Sequence, residues 1–199
     1  MQIDLEDVLA LGDSVDKLLA TYPAGVASLH ALKHPGALRA QTEAQLSELG
    51  LSYLFNPVAN GGVDLRAQAV LAQRCGRNLF HGASLFQDVV GAYVAEAHEQ
   101  GVTPVGLTAE GITGGTWQLT VPLDNDPMGQ VVHAQARTDG SWSLQGVVPV
   151  VPYADASSHV LLAVQVQGTR RYALLALDAQ GVQAQHSVAL DGTSISALL

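Results

Sequence analysis

The sequence predicts an α+β protein: an N-terminal all-α helical domain over residues 1–100, followed by an antiparallel β-barrel or sandwich over residues 101–199. Two observations carry this. Apolar residues recur at intervals of three and four up to about residue 100, and at intervals of two beyond it. Turn dipeptides then divide the second half into short segments rich in β-branched residues. The composition allows a real core, since 48% of the 199 residues are hydrophobic and 14% are charged.

In "IDLEDVLALGDSVDKLLATY" the residues Leu5, Val8, Leu9, Val15, Leu18 and Leu19 form a helical stripe, and Gly12-Asp13-Ser14 is the place where it is open to interruption. Residues 37–49 repeat the pattern. Next, "QLSELGLSYLFNPVANGGVDL" places Leu46, Leu49, Leu51 and Leu54 on or near one helix face, then stops the helix at Asn56-Pro57 and Gly61-Gly62. Asp64 suits the N-cap of a helix over residues 65–76, and Gly76 suits its end. A further helix starts near Ser84 and runs to Gly101.

Beyond residue 101, "WQLTV", "QVVHAQARTDGSWSLQGVV", "HVLLAVQVQGTRRYALLALD" and "VQAQHSVAL" alternate as strands do. Asp139-Gly140 is a strong hairpin signal, Gln167-Gly168-Thr169 joins two more strands, and Asp191-Gly192 marks another turn. The pattern predicts about six or seven strands.

Charge and cysteine content exclude several classes. Eighteen acidic residues against nine basic ones give a formal charge of −9, with only two lysines, Lys17 and Lys33. Nucleic acid, which needs clustered cations, is not an expected partner. Cys75 is the single cysteine, so no internal disulfide forms. Asp4, Glu6 and Asp7 stand where a signal peptide needs positive charge. No apolar run approaches the roughly 18 to 20 residues of a membrane span, and a cytoplasmic location is expected.

Isolated motifs are weak. His30 and His34 share a helical spacing but have no third metal ligand near them, and Pro35 is read as the end of their helix. His98 lacks the second histidine of a zinc-protease helix. Asp124 and Asp126 lack a distal glutamate for calcium, which leaves a polar turn. Ser14 and Lys17 have the S-x-x-K spacing of some acyl-transferring serines, a spacing that chance often produces. Cys75 has no basic activator and reads as packing. The glycine-rich "EGITGGTW" precedes a strand rather than a helix. No metal site and no catalytic residue is assigned.

The order of the segments says more. "LSELGLSYLFNPVANGGVDL", with Val58-Ala59 where acids are usual and Asp64 in place of a last glycine, resembles the elbow between two packed helices of the acyl-CoA dehydrogenase family. "LAQRCGRNLF" is similar to the helix that follows. "VGLTAEGITGG" sits where that family carries a Leu-Thr-Glu-Pro loop, so the resemblance places Leu107, Thr108 and Gly114 beside a flavin. Ala109 replaces the loop's acid. Gly146, the Gly181-Val182 pair and Asp191-Gly192 follow the order of the family's later strands. After Gly146, Val148 stands for a lysine, Val150 for an aromatic and Pro152 for a hydroxyl residue that line the flavin.

The resemblance implies an oxidoreductase of fatty acid metabolism, a flavoprotein using FAD, acting on acyl-CoA or another acyl thioester. Such a reaction removes a proton α to the thioester carbonyl and passes a hydride from the β-carbon to the flavin. The resemblance also implies a second helical domain, which usually carries the glutamate base, and the 199 residues are expected to stop short of it. Glu96 and Glu99 have no geometric claim to that role. The expectations are a truncated or degenerate dehydrogenase, or a non-catalytic subunit partnering a full-length one, with a homo-oligomer or hetero-oligomer in either case. An unrelated two-domain binding protein is the third reading.

Overall fold

The computed structural model describes residues 4–22, 35–49, 65–80, 118–123, 131–188 and 194–199, with positions 82, 83, 87, 90, 91, 93, 94 and 97. Three complete helices are present among them: α1 (Leu5–Leu19), α2 (Pro35–Glu48) and α3 (Leu65–Arg77). Asp4 caps α1 by accepting from the Glu6 amide at 3.3 Å, and Glu6 and Asp7 place negative charge against the positive helix end.

The helix is not interrupted at Gly12-Asp13-Ser14, because glycine serves there as a contact surface. A Cβ at Gly12 would lie 2.9 Å from Val70 Cγ1, so its absence lets α1 and α3 cross closely. Val8, Gly12, Val15 and Leu19 face inward, whereas Leu5 and Leu9 of the expected stripe point outward.

Pro35 begins α2; at a helix's first turn its missing N–H has no intrahelical bond to lose, and the helix read before it lies outside the described residues. Gly76 also differs from expectation. It stays inside α3, and the left-handed residue at the helix end is Leu79, with φ 54°. The Phe80 amide then closes the end on the Cys75 carbonyl at 2.9 Å. Positions 83, 87, 90, 91, 93, 94 and 97 carry helical backbone where a further helix was expected. The elbow over residues 50–64 lies outside the described residues.

Val15, Leu19, Tyr22, Leu46, Leu71, Cys75 and Phe80 make one apolar core. Within it the Tyr22 and Phe80 rings meet edge to face, 5.1 Å between centroids.

Eight strands are described, against the six or seven expected: β1 (Leu119–Thr120), β2 (Val132–Ala136), β3 (Trp142–Gln145), β4 (Val148–Pro152), β5 (His159–Val166), β6 (Thr169–Ala176), β7 (Ala184–Val188) and β8 (Ser194–Leu198). The larger sheet has the order β1-β5-β2-β3 with β6 on the other edge of β5, and the smaller has the order β4-β8-β7. Asp139-Gly140 forms the β2–β3 hairpin, its aspartate accepting from the Ser141 amide at 2.9 Å. Gln167 and Gly168, both with positive φ, form the two-residue turn between β5 and β6. Asp191-Gly192 lies outside the described residues.

The sheets are mixed rather than antiparallel throughout, since β5 runs parallel to both β1 and β2. The cause is topological: after the β2–β3 hairpin the chain visits the smaller sheet through β4, so it re-enters the larger sheet in the direction of β2. The two sheets enclose a second core of Val132, Ala134, Val160, Leu162 and Val164 against Val148, Val151 and Leu198. Among the described residues this is a sandwich and not a closed barrel. Leu161 and Leu174, on the opposite face of the larger sheet, pack with Leu119 and with Val90 and Val94 of the helical segment.

Candidate functional site

Of the five residues assigned to the flavin side, Val150 and Pro152 are described, and both lie on β4. Leu107, Thr108 and Gly114 lie outside the described residues. The sequence "VVPVV" has no alternation to show which side chains share a face, and the pairing with β8 reveals why. Val148 pairs with Leu198 and Val151 with Ser196, with a register shift between them. That irregularity turns both Val148 and Val151 into the sandwich core. Val148, at the lysine position of the resemblance, is thus a core residue, while Val150 is half-buried and Pro152 buried.

The backbone of β4 is already committed. The Leu123 amide donates to the Val150 carbonyl at 3.2 Å. The hydroxyl of Thr120, itself buried, donates to the Pro152 carbonyl at 2.6 Å. Residues 120–123 therefore lie along β4, and β1, which follows residues 105–117 in the chain, is brought beside Val150 and Pro152. Pro149 and Pro152 have no amide proton, and every side chain of β4 is apolar. The side chains of Val150 and Pro152 can offer a planar ring van der Waals contact but no hydrogen bond, so the side chains of this strand do not fit the polar edge of a flavin.

Tyr153, directly after β4, is a buried residue with φ 54°. A non-glycine side chain held in the left-handed region costs about 1–2 kcal/mol. Contacts on both sides hold this segment: the Ser157 hydroxyl donates to the Tyr153 carbonyl at 2.8 Å, and the Gln87 amide donates to the Ala156 carbonyl at 2.7 Å and to the Ser157 hydroxyl at 2.8 Å. Sequence reasoning missed Thr120 and Gln87. An isolated Thr in a strand and a Gln in a helix give no local signal that they will anchor a turn distant in the chain.

The remaining candidates resolve into structural roles. Ser14 donates its hydroxyl to the Ala10 carbonyl at 3.0 Å, the ordinary use of a serine within a helix. Burial, with a smaller contribution from the nearby Asp16 charge, pushes the Cys75 thiol up to about 11, which suppresses its thiolate. His30, His34, His98, Asp124 and Asp126 lie outside the described residues. Two Ser–His contacts were not anticipated: His159 Nδ1 lies 2.9 Å from Ser158 Oγ, and His186 Nδ1 lies 2.8 Å from Ser196 Oγ. Ser158 also accepts from the Gln118 amide at 2.9 Å, which ties the start of β1 to that of β5. Burial holds the His159 imidazole below its ordinary value, partly offset by Asp178. Among the described residues no group of three or more His, Cys, Asp or Glu side chains could hold a metal ion, and no helix is long and apolar enough to cross a membrane.

No protein-family model and no curated protein matches the sequence. Solved structures do match it in fold. The ChsE4-ChsE5 complex from Mycobacterium tuberculosis superposes with a TM-score of 0.75 at 21% identity, covering 100% of this chain and 55% of that one. The Tcur3481-Tcur3483 steroid ACAD G363A variant gives 0.72 at 21% identity, covering 98% and 55%. Butyryl-CoA dehydrogenase from Megasphaera elsdenii gives 0.66 at 14% identity, covering 100% and 57%. The chain therefore has the fold found in acyl-CoA dehydrogenases, and it spans about half the length of the solved structures that it matches.

Proposed function

We propose that this chain is a degenerate acyl-CoA dehydrogenase-type protein of the cytoplasm, with a helical domain over residues 1–100 and a β-domain over residues 101–199. It serves flavin-dependent α,β-dehydrogenation of an acyl thioester. The observation that supports this most is the fold likeness along the whole chain to proteins of that class. Leu107, Thr108, Gly114, Val150 and Pro152 form the flavin side in this reading, with β4 giving apolar contact alone. The test is FAD uptake: excess FAD is added to the purified protein, free cofactor is removed, and the spectrum is read. Bound flavin supports the reading, and a colourless, folded protein moves the weight to the alternative.

That alternative is a non-catalytic subunit supporting a dehydrogenase in a hetero-oligomer. The absence of any side-chain donor on β4 favours it, and one of the similar structures is itself a complex of two differently named chains. Co-purification with a full-length dehydrogenase whose activity depends on this chain would select it.

A further inference from the structure

The outer face of the larger sheet carries an arrangement of charge that the flavin-side reading leaves unused. Beyond residue 100 the sequence contains three basic residues, Arg137, Arg170 and Arg171, among seven acidic ones. All three arginines lie at the same end of this sheet. Register sets Arg170 of β6 beside Gln165 of β5, Gln165 beside His133 of β2, and His133 beside Gln145 of β3. Because Val132, Ala134, Leu144, Val164 and Ala173 turn into the sandwich, the alternate residues His133, Gln135, Gln165, Arg170 and Tyr172 face the other way. Arg137 reaches the same side, donating to the Ser143 hydroxyl at 3.4 Å.

Tyr172 is 67% exposed. Among the described residues no carboxylate pairs with Arg137, Arg170 or Arg171. Arg171, paired with Val164, lies on the sandwich side. In a chain of net charge −9, Arg137 and Arg170 on the outer face, with no carboxylate partner among the described residues and beside an exposed aromatic, fit a surface that is acidic and partly apolar.

Helix α1 has such a surface. Leu5 and Leu9 are 53% and 46% exposed, and Asp13, 68% exposed although its carboxylate lies 3.6 Å from Arg74 of its own chain, continues their i, i+4 row. Asp4, Glu6 and Asp7, all exposed, flank that row. Within its own chain α1 is held on α2 and α3, so it can meet an arginine face only on another molecule. Its acids oppose pairing of α1 with α1. A helix of this length spans roughly 22 Å, and four adjacent strands present a face roughly 15 Å wide, so the two surfaces match in size.

We propose that the arginine-bearing outer face of the larger sheet binds α1 of a second copy of this chain, each copy giving and receiving a helix in a two-fold pair.

The test is the association state of the full chain by sedimentation velocity, for the wild type, Arg170→Glu, Glu6→Arg and the double variant, with circular dichroism confirming that each is folded. The expected result is a salt-sensitive dimer that either single reversal weakens at least about fivefold and the double variant restores. A chain that stays monomeric at all concentrations overturns the proposal. So does a dimer indifferent to both reversals, or a double variant no tighter than the singles. A chain that is monomeric alone yet held by a separate acidic protein also overturns it. None of these readouts depends on flavin, so this proposal and the dehydrogenase reading fail separately.

Discussion

The α1–α3 joint and the interior of the sandwich are held differently: both have an apolar core, and the joint adds a half-buried polar cluster to it. At the joint, Arg74 bonds Asp16 at 2.7 Å, and Asn78 donates to the same carboxylate at 3.0 Å. The sandwich interior is almost wholly Val, Leu and Ala. Polar groups at a half-buried joint fix geometry, because each must meet its partner at one distance and angle, whereas an apolar interior fixes only volume. The two regions therefore respond differently to substitution. A cavity is the worst injury to the sandwich, and an orphaned charge is the worst injury to the joint.

Leu162, among the most buried side chains of the sandwich, gives the largest expected effect. Leu162→Ala removes apolar contact and leaves a cavity, so chemical denaturation should show a loss of about 3 kcal/mol. Arg74→Ala leaves Asp16 without its cation in a half-buried setting and should cost about 2 kcal/mol, with Asp16→Asn recovering part of that loss in the double variant. If Leu162→Ala cost less than Arg74→Ala, the contrast between the regions would be wrong.

Smaller effects sharpen it. Leu79→Gly removes a side chain from the left-handed position that ends α3, and should raise stability by about 1 kcal/mol in the same denaturation. The gentlest is a pH effect at the edge of the sandwich. Burial lowers the folded-state value of His159 below the ordinary 6.5. As pH falls through 6.5 the unfolded chain therefore takes up a proton before the folded one, and stability declines until the folded imidazole titrates. Replacing His159 with Gln should flatten melting temperature against pH below that point, and an unchanged slope would assign the decline to other groups.

Much of this was legible in the sequence, and the rest was not for identifiable reasons. The change of apolar period in the sequence agrees with helices among the described residues up to position 97 and strands from Leu119 on, because burial of one face imposes period 3.6 on the first and period 2 on the second. Asp139-Gly140 and Gln167-Gly168 named their hairpins, since only certain residues adopt positive φ cheaply. Gly12 misled because glycine both breaks helices and admits a crossing helix, and nothing in residues 5–19 reveals that Val70 passes there. Parallel pairing of β1 with β5 joins residues about forty positions apart and leaves no local mark. The β4 irregularity was hidden for a different reason: in "VVPVVP" every residue is apolar, so no alternation exists to be broken. The resemblance named positions 148, 150 and 152, but which of them turn into the core depends on the pairing with β8.

The measurement closest to the central claim is FAD binding to the wild type and to Pro152→Thr, followed by flavin fluorescence quenching on folded protein. If β4 faces a flavin and has lost its donor, Pro152→Thr restores a hydroxyl and should bind FAD at least about fivefold more tightly than the wild type, the worth of one hydrogen bond. If neither protein takes up FAD while both remain folded, the chain has the fold of a dehydrogenase without its flavin face, and the account fails at its centre.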